Sequence, residues 1–135
     1  MNDQPSLVYI ADTNALFWYW KKPSRLSAAA DAVFRLAAAG GAYIIVPAIV
    51  VAELFYLGQK VGIPMLPSIF LADIARSQEL IFSELGQAQL EKMEEIDGVP
   101  EMHDRLIVAE ALAHHAPLIS KDSELRRVKM VDVIW

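Results

Sequence analysis

The chain has 135 residues, 55% of them hydrophobic and 21% charged, which suits one domain with one core and excludes a disordered segment. It contains no cysteine, which excludes a disulfide framework, thiolate catalysis and a zinc–cysteine site, and fits a reducing cytoplasm. A net charge of −5 argues against a protein that simply coats nucleic acid, although an enzyme whose negative charge is gathered in one metal site remains compatible with it.

The first residues, MNDQPS, carry no basic region ahead of an apolar run and do not read as a signal peptide. LVYIA (7–11) predicts a buried strand and Asn14 to Trp20 a short helix. Pro23 and Ser24 open a helical stretch with Leu26, Ala29, Val33, Leu36 and Ala37 on one face, closed by Gly40 and Gly41. The apolar run 42–57 could be mistaken for a membrane span. Pro47 interrupts it, however, and Glu53 at the centre of a span would cost about 3 kcal/mol. It reads instead as a strand (42–46) followed by a helix that proline starts.

Farther on, 62–68 predicts a loop, 67–77 a helix, 80–82 a strand and 86–96 an amphipathic helix. GVP (98–100) precedes a long helix over 101–115, and PLIS (117–120) and MVDVIW (130–135) predict the last two strands. Strands alternating with helices indicate an α/β fold with a central, mainly parallel sheet and helices on both faces. No composition shift or linker divides residues 1–135, so a single domain is expected. Ligands of such sheets bind beyond the carboxyl ends of the strands.

Two aspartates sit at such ends. Asp12 follows the first strand and Asp122 follows PLIS. Either could be an ordinary helix cap, worth about 1 kcal/mol. Glu53 is harder to explain structurally. It is the only charged residue between Gly41 and Gln59, and its helical neighbours Ile49, Val50, Tyr56 and Leu57 are apolar or aromatic. Asp104 lies in the first turns of the long helix, where the dipole favours it, although Glu101 suits that capping role better. Four carboxylates at corresponding ends of a sheet suit a hard divalent cation and phosphodiester chemistry.

The ordered set D-T-N at 12–14, E in VVAEL, HDRLIVAEA and LISKD resembles a PIN-domain ribonuclease, and more narrowly the small VapC-type toxins of bacterial toxin–antitoxin pairs. NALFWYWKKPSRLS also resembles that family's first helix and following turn, and the likeness runs from Leu7 to the final strand. It implies a single PIN domain with Asp12, Glu53, Asp104 and Asp122 around one acidic pocket, using Mg²⁺ or Mn²⁺ to cleave single-stranded RNA. Asp12 and Asp104 would touch the metal most directly, with Glu53 and Asp122 holding waters or a second ion. Thr13 or Asn14 would orient Asp12 or the substrate. A homodimer, blocked by a small antitoxin protein, and no membrane association are also implied. Pro47 and Ala48 depart from the pattern, standing where many relatives carry a serine.

Seven of the 12 basic residues, namely Lys21, Lys22, Arg25, Lys121, Arg126, Arg127 and Lys129, flank the loops after the first strand and after PLIS, where they could guide an RNA backbone or be ordinary solvated charge. His103, His114 and His115 read as structural or surface residues. Phe17, Trp18, Tyr19 and Trp20 cannot all enter one core, so part of that surface is expected to meet a protein partner or an unpaired base. No glycine-rich loop follows the first strand and no G-K-S/T occurs, which excludes dinucleotide and P-loop folds. A receiver-type signalling domain and a non-catalytic PIN-like module that binds RNA or protein are the competing readings.

Overall fold

A computed structural model describes residues 7–135; the signal-peptide reading of MNDQPS lies outside the described residues. Strands form at β1 (Leu7–Ala11), β2 (Ala42–Pro47), β3 (Leu80–Ser83), β4 (Leu118–Ile119) and β5 (Val133–Ile134). All pairings are parallel, in the order β3-β2-β1-β4-β5. This explains why the central strands read as unbroken apolar runs: a parallel sheet with helices against both faces buries both sides of a strand. Helices are α1 (Thr13–Lys21), α2 (Ala28–Ala38), α3 (Ala48–Val61), α4 (Pro67–Arg76), α5 (Gln87–Lys92), α6 (Met102–His114) and α7 (Ser123–Arg126). Among the described residues no helix is long and apolar enough to cross a membrane, and the run 42–57 is β2 followed by α3.

Register aligns the strand ends. Ile10 pairs with both Ile45 and Leu118, and Ala11 with Ile119. Asp12, one residue past β1, is therefore level with Ser120, one residue past β4. Its N–H donates to the Ile119 carbonyl at 3.1 Å, and Ser120 N–H donates to Ile134 at 3.1 Å.

Three local expectations need correction. Pro23–Arg25 forms a separate 3₁₀ turn, and the Ser27 hydroxyl caps a new helix, so α2 begins at Ala28. This rotates its buried face to Ala30, Val33, Phe34 and Ala37, leaving Ala29 and Leu36 exposed. The helix expected over 86–96 stops at Lys92, and Met93–Glu95 tightens into a 3₁₀ turn. The Arg105 side chain donates to the carbonyls of Met93 and Ile96, taking up backbone acceptors that α5 leaves open. Pro47 ends β2 in an extended conformation (φ −65°, ψ 149°) and precedes α3 instead of being its first residue.

The centre of α6 is buried on every side from Leu106 to Ala111, and this includes a carboxylate, Glu110, only 2% exposed. Glu110 Oε1 accepts from Ser83 Oγ, from His114 Nε2 at 2.9 Å and from Gln89 Nε2 at 3.4 Å, tying α6 to β3 and α5. A buried polar group is tolerable when bonded in this way. Glu110→Ala strands the buried Gln89 amide and is expected to cost about 1–3 kcal/mol. A urea titration would register this as a lower midpoint at unchanged slope, whereas an unchanged midpoint would mean that the cluster holds nothing in place.

Candidate active site

Each of the four carboxylates reaches the site from a different element. Asp12 is the N-cap of α1, its Oδ1 accepting from Ala15 N–H at 2.9 Å. Glu53 comes from the middle of α3, and the Thr13 hydroxyl donates to its Oε1 at 2.7 Å. Asp104 stands in the first turn of α6. Glu101 takes the capping role there, its Oε2 accepting from Asp104 N–H at 2.7 Å and leaving the aspartate side chain free. Asp122 caps α7 by accepting from Glu124 N–H at 2.8 Å, and its own N–H donates to Ser120 Oγ at 3.0 Å.

All four line one pocket of about 430 Å³, together with Thr13, Asn14, Trp18, Ile107, Lys121 and Ser123. Thr13 serves Glu53 and not Asp12, a refinement of the expected role. None of the three histidines lines the pocket: His103 pairs with Glu101 at 2.5 Å, His114 with Glu110, and His115 ends α6 in a left-handed turn (φ 50°). Ser120, beside Asp122 in sequence with Ser123 and Glu124 and able there to share its capping or site role, is fully buried and bonds to both strand-end aspartates. Ile107 could have been found from its place one helical turn after Asp104.

The electrostatics are those of buried carboxylates set among like charges. Burial pushes the Asp12 carboxyl up to about 6; hydrogen bonds from Ser120 and Ala15 oppose this, and the charges of Asp104 and Asp122 add to it. Asp104 is likewise pushed up to about 6, first by burial and then by Asp122, Glu101, Glu53 and Glu124. Among the described residues Lys121 is the one cation lining the pocket, and its ammonium stands over the Trp18 ring, 5.7 Å from the centroid.

An all-oxygen donor set with uncompensated negative charge fits a hard divalent cation. Among the described residues no three acidic or histidine side chains enclose a metal position as they stand. An ion such as Mg²⁺ takes one or two carboxylates directly and keeps several waters.

The family model described as PIN domain matches residues 9–130, a span that contains all four carboxylates. The chain belongs to the PIN domain family. Similar folds occur in three solved toxin–antitoxin structures. VapBC2 from Rickettsia felis, bound to a promoter DNA fragment, is 18% identical with a TM-score of 0.70, over 94% of this chain and 97% of that one. DNA-bound VapBC from Salmonella typhimurium is 17% identical with a TM-score of 0.64, over 94% and 96%. A toxin–antitoxin complex from Klebsiella pneumoniae is 16% identical with a TM-score of 0.61, over 93% and 95%. No curated protein matches this PIN domain in sequence.

The raised Asp12 value has a measurable consequence without metal. The folded chain holds this proton up to about pH 6, whereas the unfolded chain releases it near the ordinary 3.8. The stabilisation is complete below the unfolded value and is lost as pH rises through about 6. Chelated protein is therefore expected to be less stable at about pH 7 than at about pH 4, by on the order of 1–3 kcal/mol from Asp12. Half-buried Asp104 adds in the same direction, weakened by solvent. Asp12→Asn, which keeps a capping side chain, should flatten this dependence in urea titrations across pH. An equally steep profile in the variant would contradict the assignment.

Proposed function

We propose that this PIN domain is a metal-dependent endoribonuclease that cleaves single-stranded RNA, and that it is the toxin of a toxin–antitoxin pair. The observation that carries this reading is the convergence of four carboxylates from four elements on one pocket at the carboxyl ends of the strands. Asp12 and Asp104 are the residues that would hold Mg²⁺ or Mn²⁺ directly. A divalent cation there supplies charge stabilisation at the scissile phosphate and acidifies water. Glu53, fixed by Thr13, and Asp122, fixed by its cap, accept hydrogen bonds from water and orient it toward the phosphate. The seven basic residues around the two strand-end loops are all exposed, and Lys121 lies in the pocket itself, so the RNA backbone meets local positive charge despite the acidic total.

The toxin assignment draws on the fold shared with the toxin–antitoxin complexes and on exposed apolar residues of α3 and α4. Tyr56 (69% exposed), Val61, Leu66 and Ile69 lie along α3, the loop after it and α4, a surface suited to an antitoxin or to the second copy of a homodimer.

Purified protein incubated with RNA is expected to cleave it only when Mg²⁺ or Mn²⁺ is present. Asp104→Asn is expected to reduce the rate by on the order of 100-fold or more. Cleavage that survives chelation, or equal cleavage by the variant, would contradict the reading.

A further inference from the structure

The four consecutive aromatics of α1 meet four different fates. Phe17 is buried in the core. Tyr19 stacks on Phe34 at 4.2 Å between centroids, and Trp20 on Phe70 at 4.6 Å. Trp18 alone turns into the acidic pocket, half-buried, beside Asp12, Asp104 and Asp122. Trp135, directly after β5, leans against it with centroids 5.6 Å apart and planes tilted by 54°. The ring is thus propped by an aromatic neighbour, and the ammonium of exposed Lys121 stands over it.

We propose that Trp18 is a stacking platform for one unpaired base of the RNA next to the scissile phosphate, an inference that rests on the ribonuclease reading. Competition for the ring favours the base. An ammonium over an exposed indole is held by a factor of about 2 to 5, whereas a base stacked on an aromatic side chain contributes roughly 5- to 150-fold in affinity. A base would displace Lys121 from the ring. The lysine, still at the pocket wall, would then pair with the phosphate flanking that base. Stacking accepts any base, so the platform favours single-stranded over paired RNA without reading sequence: a base in a duplex is not free to leave its partner.

The test measures binding of an unpaired oligoribonucleotide of about a dozen nucleotides, with Ca²⁺ replacing Mg²⁺ to hold turnover down. An abasic residue is stepped along the strand. The wild-type chain is expected to lose roughly 5- to 150-fold in affinity at one position. Trp18→Leu should weaken the intact strand by a similar factor and become indifferent to that abasic position, while Trp18→Phe retains most of the affinity. A 2-aminopurine placed at the sensitive position should be quenched on binding to the wild-type chain, a readout that needs no variant. A Trp18→Leu protein with the wild-type urea midpoint and the full abasic penalty would overturn the platform and leave the nuclease reading intact. So would a uniform abasic scan, or a probe that stays bright. A wild-type chain that binds no RNA with Ca²⁺, Mg²⁺ or Mn²⁺ would remove the nuclease reading and the platform with it.

Discussion

Burial of carboxylates beside one another is the constraint around which the site is built. Asp12 and Asp104 are both pushed up to about 6, first by burial and then by neighbouring acids, and among the described residues only Lys121 lines the pocket as a counter-charge. Three of the four acids are held in place by hydrogen bonds, and the fourth is left free. Asp12 and Asp122 are fixed as helix caps, Glu53 is pinned by Thr13, and Asp104 is released from capping because Glu101 does that work. Parallel pairing in register brings the two strand-end aspartates to the same edge. A cation bound in the proposed site would release the free energy stored in this burial and crowding, so the cost of assembling the site would become part of its affinity for metal.

The same edge is bordered by one aromatic residue and one lysine, Trp18 and Lys121. Phosphodiester chemistry on a flexible strand needs the phosphate held still, and positioning is a large share of catalysis in such reactions. In the proposed reaction, carboxylates and a cation would act on the phosphate group; a ring beside them would act on the base, which would restrict the strand from a second direction. The buried Glu110 cluster contributes from further off. By joining α6 to β3 and α5 it anchors the helix on which Asp104 rides.

Much of this was legible in the residues. β1 and β2 are continuous β-branched apolar runs, and the rule that ligands gather at carboxyl strand ends pointed to Asp12 and Asp122. Glu53 stood out as a lone charge on an apolar helix. What remained hidden depends on contacts between residues distant in sequence. The break after Lys92 is set by Arg105, which no local propensity in 86–96 reveals. The fates of Tyr19, Trp20 and Trp18 are decided by Phe34, Phe70 and Trp135. Glu110 lies within a run whose apolar residues mask it, although His114 four residues later was a signal that the pair could bond.

The proposed site for the divalent cation is one pocket, lined by Asp12, Glu53, Asp104 and Asp122. Crystals of the protein soaked in Mn²⁺, with diffraction recorded at the manganese absorption edge, test it most directly. The account predicts an anomalous peak in contact with Asp12 and Asp104. A saturating soak that leaves this pocket without a peak, or that places manganese elsewhere on the fold, would contradict it.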